Sequence, residues 1–129
     1  MEYNDIINKL CNRFFYTNIN KVNNMNQQDK IELSKCVAEK YEISANKLTL
    51  NAMGDIVENI WLADDDARCF RLAVDNETSI ECWTDSIDVS YWNEDSFMSK
   101  TTTEKYADHS DRYEASRIAI LKCLDAMKE

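Results

Sequence analysis

The chain of 129 residues is 44% hydrophobic and 30% charged, a balance that is typical of one globular domain and excludes an intrinsically disordered chain. Its net charge of −9 repels nucleic acids and anionic membranes and favours a partner protein with a basic surface. No apolar run approaches the roughly 18 residues of a membrane-spanning helix, and the start is acidic where a secretory signal would be basic, so we expect a cytoplasmic protein.

The first part of the chain is predicted to be an appendage to the rest. Apolar residues recur at three- and four-residue spacing over residues 4–16, which predicts an amphipathic helix. Residues 17–28 are polar and rich in Asn, which predicts a loop. We therefore expect one domain whose core comprises residues 29–129, with this helix and loop attached to it.

A second helix is predicted over residues 29–42, where Asp29 and Glu32 have the spacing of a capping box and an apolar stripe follows. The next segment is ambiguous, because residues 47–51 fit either a short strand or the start of another helix. Gly54, the one glycine in a chain without proline, ends either element.

A third helix is predicted over residues 65–75, because carboxylates in the run Asp64–Asp66 satisfy the free N–H groups of a helix start. After Asn76 the apolar period changes from 3.6 residues to 2. Residues 79–92 therefore predict an antiparallel hairpin with one apolar face, and a further strand is predicted near residues 98–106.

The helix predicted over residues 111–128 has the clearest signal. Asp111 and Glu114 have capping-box spacing, with Ser110 as an alternative cap, and the positions that follow are mostly apolar. Such a broad apolar surface has to pack against a sheet. The sequence thus predicts an α+β fold in a single small domain, in which helices cover a three-stranded antiparallel sheet.

Three segments of the chain carry a resemblance to a known family. Residues 31–40 resemble its early helix, residues 65–80 its middle helix and the strand that follows, and residues 111–127 its closing helix. This family is the Nin-region X family of lambdoid phages, with the related phage ABA-sandwich domain, and the resemblance covers roughly residues 29–129. It implies a small cytoplasmic protein from an accessory region of a phage or prophage, and it implies no particular activity.

The sequence contains no pattern that is typical of a catalytic, cofactor or metal site. One glycine is too few for a phosphate-binding loop, and the adjacent carboxylates Asp64–Asp66 point in different directions. The five cysteines form no C-x-x-C pair, and we expect free, buried thiols in a reducing compartment. His109, the one histidine, is expected to be a surface or capping residue. We therefore expect neither catalysis nor a bound cofactor.

The acidic charge is concentrated in one part of the chain and predicts a partner. Residues 54–111 carry four Lys or Arg and fifteen Asp or Glu, a net −11, whereas residues 1–53 and 112–129 each carry +1. A patch of carboxylates imitates a phosphate backbone, so we predict a non-enzymatic phage accessory protein that binds the basic surface of a host factor, such as a defence component. The simpler alternative is that this acidity only keeps the protein soluble. The predicted partner-binding residues are Asp64, Asp65, Asp66, Asp85, Asp88, Glu94 and Asp95.

A second interpretation is an oligomeric small-molecule binder that sequesters a nucleotide signal of host defence. Arginine side chains would bind its phosphates and aromatic rings would stack on its base, in a pocket between subunits. The residues predicted for this pocket are Trp83, Trp92, Arg112 and Arg117.

Overall fold

The computed structural model describes residues 25–129, so the helix predicted over residues 4–16 and most of the predicted loop 17–28 lie outside the described part. The elements in chain order are α1 (Gln27–Lys40), β1 (Asn46–Leu50), β2 (Ile56–Trp61), α2 (Asp66–Asp75), β3 (Ser79–Cys82), β4 (Ser86–Asn93), β5 (Met98–Lys105) and α3 (Arg112–Met127). Short 3-10 turns precede α2 and α3. The α+β fold predicted from the sequence is confirmed.

Strands β3, β4 and β5 form the predicted three-stranded antiparallel sheet, with β4 in the centre. Along β4 the buried side chains of Ile87 and Val89 alternate with those of Asp88 and Ser90. Because successive side chains of a strand point to opposite faces, one face of the sheet is apolar and the other is polar. We call them the inner face and the outer face.

Helix α3 lies on the inner face and forms the centre of the core. It packs against β4 and β5 on one side and against α1 and α2 on the other. This arrangement explains its broad apolar surface, since a helix with neighbours on two sides needs more than one apolar stripe. The buried apolar residues of α3 are Ala115, Ile118, Ala119, Ile120, Leu121, Cys123 and Leu124.

Of the three helix starts predicted within residues 25–129, two are confirmed. The side chain of Asp65 accepts a hydrogen bond from the Arg68 backbone N–H at the start of α2, and Asp111 does the same for Glu114 at the start of α3. The capping box predicted at Asp29 and Glu32 is wrong.

The actual cap of α1 is Asn26, whose side-chain oxygen accepts a hydrogen bond from the Asp29 backbone N–H over 2.8 Å. Asn satisfies free N–H groups at a helix start as well as Asp does. The helix therefore begins at Gln27, inside the segment that was predicted as an Asn-rich loop.

A second, two-stranded sheet follows α1 and precedes α2 in the chain, and it was predicted only in part. Residues 47–50 fall in β1, which is one of the two expected alternatives, and Asn51 follows it in the turn, but the sequence analysis did not identify β2. The connecting turn is built by Asn51, whose side-chain oxygen accepts hydrogen bonds from the backbone N–H groups of Met53 and Asp55, both over 2.9 Å. Gly54 completes the turn with a φ of 87°, a left-handed conformation that glycine adopts without strain.

Candidate functional site

The outer face of the three-stranded sheet is not covered by any helix or strand among residues 25–129. Cross-strand pairing places a row of mostly hydroxyl and carboxylate side chains on it. The side chains that share this face are those of Ser79, Glu81, Ser86, Asp88, Ser90, Trp92, Ser99, Thr101, Thr103 and Lys105. Many antiparallel sheets have one polar face exposed to solvent, so polarity alone does not indicate a binding site. The features that distinguish this face are its two tryptophans and its carboxylates.

Trp83 lies in the turn between β3 and β4 and is fastened to this face by Asp88. Its indole Nε1–H donates a hydrogen bond to Asp88 Oδ2 over 3.1 Å, and Thr103 donates one to Asp88 Oδ1 over 2.7 Å. Both oxygens of the carboxylate are therefore engaged, which fixes its orientation. The Trp83 side chain is nevertheless 53% exposed, so its ring is held in place and still reaches solvent.

Glu81 and Asp88 lie directly opposite each other on β3 and β4. Like charges at directly opposed positions of neighbouring strands destabilise a sheet. A guanidinium or ammonium group placed between the two carboxylates would remove this repulsion and could also lie against the Trp83 ring, because aromatic faces attract cations. This end of the outer face therefore has the chemistry of a cation-binding surface.

Trp92 lies toward the other end of the same face. It follows Asp88 by four residues on β4, which corresponds to roughly 14 Å along a strand. Its side chain is 58% exposed, and hydroxyl side chains of Ser90 and Thr101 lie between it and Asp88. The outer face thus presents two exposed indole rings that are separated by a polar stretch.

The other predicted carboxylates of the sheet do not form one patch with Asp88. Asp85 lies in the turn before β4, whereas Glu94 and Asp95 lie in the turn after it. The eight residues of β4 separate these turns by roughly 25 Å. Of the three, only Asp85 lies at the Trp83 end of the outer face.

Two residues of the run Asp64–Asp66 make contacts that stabilise the fold. Asp64 is exposed at the end of a 3-10 turn, and Asp65 caps α2. Asp66 forms an ion pair with Arg117 of α3, with 2.6 Å between Oδ1 and the guanidinium, and Arg117 Nε–H also donates to the Ala63 carbonyl. A predicted partner-binding carboxylate and a predicted phosphate-binding arginine are thus bound to each other.

The four residues of the predicted nucleotide pocket are not brought together within one chain. Trp83 and Trp92 belong to the outer face, whereas Arg112 and Arg117 belong to α3 behind the inner face. The Arg112 guanidinium lies over the ring of Tyr106, 5.0 Å from its centroid. A nucleotide site made of these residues would need more than one chain, and it stays a prediction from the sequence.

The prediction that His109 is a surface or capping residue is wrong for its side chain, although its backbone N–H donates to the Tyr106 carbonyl and caps the 3-10 turn before α3. Its side chain is 1% exposed and lies between two carboxylates. Nε2 is 2.7 Å from Glu104 Oε1, and Nδ1 is 3.6 Å from Glu114 Oε1. Lys122 pairs with Glu104 over 2.8 Å, and Lys30 pairs with Glu114. We call these five side chains the buried ion cluster.

The buried ion cluster joins three elements, because Lys30 belongs to α1, Glu104 to β5, and Glu114 and Lys122 to α3. Burial alone would raise the pKa of Glu114, but its bonds to Lys30 and to the Ser110 backbone N–H hold that pKa at about 2. Burial alone would likewise raise the pKa of Glu104, and Lys122 together with His109 holds it below its ordinary value. Both carboxylates are therefore ionised near neutral pH and serve as counter-ions within the core.

A cavity of about 320 Å³ lies beside this cluster. It is lined by Met25, Ala107, Asp108, His109, Ser110 and Glu114. Within residues 25–129, no group of three or more His, Cys, Asp or Glu side chains is arranged to hold a metal ion.

The cysteines differ among themselves in exposure. Cys69 and Cys123 are buried as expected, and burial raises the pKa of each thiol to about 12, which keeps it protonated and unreactive. Cys82 is exposed, contrary to the expectation of buried thiols, and Cys36 is half-buried.

The sequence analysis missed Glu81 and the buried ion cluster for different reasons. The alternation of Ile80 and Cys82 with Glu81 and Trp83 already places Glu81 beside Trp83, so that signal was present. Glu104 and Glu114 each lie five residues from His109, but they belong to different elements, and no local pattern indicates that both meet its ring. Lys30, which pairs with Glu114, is 84 residues away in the chain.

Comparisons of the chain with protein-family models, with curated proteins and with solved structures find no match. None of the helices in the described part combines the length and the apolar character that crossing a lipid bilayer requires.

Proposed function

We propose that the protein is a binding protein that holds a basic segment of another protein on the outer face of its three-stranded sheet. The observation that carries this proposal is the opposed pair Glu81 and Asp88 beside the exposed, fixed ring of Trp83. An arginine or lysine side chain at this point would meet carboxylates and an aromatic face together.

The geometry favours a protein segment over a single cation. Trp92 offers a second contact roughly 14 Å away along β4, which is about the length of four extended residues. The hydroxyl groups between the two tryptophans can donate to or accept from a peptide backbone. A basic segment that lies across the sheet would therefore use both rings and the polar stretch between them.

The net charge supports the same kind of partner, because a chain of −9 attracts basic surfaces and speeds their association. In the phage setting that the sequence resemblance implies, we propose that the partner is a host factor and that binding blocks its nucleic-acid-binding surface. Asp85 contributes at the Trp83 end of the face, and Glu94 and Asp95 are too distant to share a single arginine with it.

The proposal is tested with a synthetic peptide of about ten residues in which Arg and Thr alternate. Binding is followed by tryptophan fluorescence and by calorimetry at several salt concentrations. We expect micromolar affinity that weakens about tenfold between 50 and 500 mM salt, because exposed charges are screened. The variant Glu81→Lys/Asp85→Lys should lose the peptide. Asp88 is left unchanged because it anchors Trp83.

The matched control is Glu94→Lys/Asp95→Lys, which changes the net charge by the same amount in the turn at the opposite end of β4. It should weaken binding no more than about threefold. If both variants bind equally well or equally poorly, the peptide responds only to net charge and the assignment to the outer face is wrong. Absence of binding by the unaltered protein would also contradict the proposal.

A further inference from the structure

The hairpin of β1 and β2 exposes a group of large apolar side chains to solvent. Leu48, Leu50, Met53 and Ile56 are each at least 60% exposed. Within the described part of the chain, the two strands pack mainly against each other. An isolated two-stranded hairpin is at best marginally stable in water, so an apolar surface on one calls for a partner.

The apolar side chains share one face of this hairpin. Leu48 and Leu50 are two residues apart on β1, and Leu50 lies opposite Ile56 on β2. Asn46 and Asn59 share this face by the same pairing, and none of these five residues is charged. We call this surface the hairpin face.

Lys35 lies at the end of the hairpin face that is farther from the turn. Its ammonium lies over the ring of Trp61, 5.8 Å from the centroid. The opposite side of β1 is different, because it carries Lys47 and Thr49. The hairpin therefore has one uncharged apolar face and one face that carries the charge of Lys47.

The absence of charge indicates which partner fits. A basic segment gains nothing from a face without carboxylates, whereas two copies of a −9 chain repel each other wherever carboxylates meet. The hairpin face is a place where two copies can approach without that repulsion. An apolar face is also complementary to itself, which is what a twofold-symmetric contact requires.

We propose that the hairpin face binds the same face of a second copy of this chain. The two hairpins pack face to face with about 10 Å between their backbones, and Leu48, Leu50 and Ile56 of each copy interdigitate in the contact. The contact is smaller than the roughly 800 Å² per partner of a standard interface, so the dimer is weak, with a dissociation constant on the order of 10 μM.

Sedimentation velocity and equilibrium over roughly 1 to 300 μM test this proposal. The unaltered protein should change from monomer to dimer across this range, and Leu48→Lys/Leu50→Lys should stay monomeric throughout. The matched control is Val74→Lys on α2, which introduces lysine at an apolar residue of similar exposure, 55%, and should dimerise normally. Circular dichroism verifies that each variant is folded.

Ile56→Lys places the charge on the other strand of the hairpin and should weaken the dimer at least tenfold, which gives a second readout if the double variant folds poorly. Three results would overturn the proposal: a monomer at every concentration, a dimer that persists in the folded hairpin variants, or equal loss of dimer in Val74→Lys. Glu81→Lys/Asp85→Lys should dimerise like the unaltered protein, so the hairpin contact and the outer-face proposal fail or succeed separately.

Discussion

Replacing Glu114 with Gln tests whether the buried ion cluster stabilises the fold through charge. Gln has nearly the same shape and can still accept a hydrogen bond from the Ser110 backbone N–H, which is 2.8 Å from Glu114 Oε1. What the substitution removes is the negative charge that Lys30 and His109 face. Removing one partner of a buried pair is costly because the other charge stays in the core without compensation.

The magnitude follows from the pKa of Glu114, which is about 2 in the folded protein against an ordinary value of 4.5. A pKa lowered by folding stabilises the folded state at pH values above 4.5, and this stabilisation is lost as the pH falls from 4.5 toward 2. Integrated over this window, the lowered pKa corresponds to at most about 3 kcal/mol at pH 7, and solvent that reaches the Lys30 side chain screens the pair and reduces this contribution. We therefore expect Glu114→Gln to lower the free energy of unfolding by about 1 to 2 kcal/mol at pH 7 and by less than half of that at pH 3.

Urea denaturation of both proteins at pH 7, 5, 4 and 3 measures this difference. Glu39→Gln, on an exposed position of α1, makes the same change in charge and should alter stability by no more than about 0.5 kcal/mol. A loss that is equally large at pH 7 and pH 3 would refute the reasoning, because it would mean that shape or hydrogen bonding carries the effect. A variant as stable as the unaltered protein at pH 7 would refute it as well.

Two further substitutions test local features of the fold. Ser34→Ala removes the buried hydroxyl that accepts a hydrogen bond from the Ala63 N–H over 3.0 Å, so we expect urea denaturation to show a loss of about 1 to 3 kcal/mol, and no loss would mean that another group replaces the hydroxyl. Gly54→Ala meets no atom within 4 Å but forces a residue with a side chain into a φ of 87°, so we expect a local cost of about 1 kcal/mol. Faster hydrogen exchange of the Asn51 amide, which bonds the Asp55 carbonyl, measures that cost, and unchanged exchange would contradict it.

The sheet and the helices α2 and α3 could be predicted because their signals are local. Alternating residues between Ser79 and Trp92 separate the apolar inner face from the polar outer face, and Asp111 starts α3 where its spacing to Glu114 indicates. Such patterns reflect the geometry of a single strand or helix turn, so neighbouring residues contain the information.

The β1–β2 hairpin could be predicted only in part, because its apolar residues are not buried. A strand is recognised by the contrast between a buried side and an exposed side, and on β1 the exposed positions include Leu48 and Leu50. The remaining local signals were Asn51 and Gly54 in the turn, which fit a hairpin but do not indicate where its second strand ends.

Most residues of the candidate site could be predicted from the sequence, but Glu81 was missed and the arrangement of the site could not be predicted. The sequence analysis identified Asp88, Trp83 and Trp92, and the alternation of the strands placed them on one face. It grouped Asp85 with Glu94 because both flank β4, although the strand holds them roughly 25 Å apart. Proximity along the chain is a poor guide to proximity in space when an extended strand lies between two residues.

The central position of α3 has a consequence for how the protein folds during synthesis. This helix follows every other described element in the chain, yet α1, α2 and the sheet all pack against it. Lys40, for example, bonds Asp125 across 85 residues of chain. Until α3 leaves the ribosome, the earlier elements have no common surface on which to assemble, so we expect the nascent chain to keep their apolar side chains accessible to chaperones until α3 has emerged.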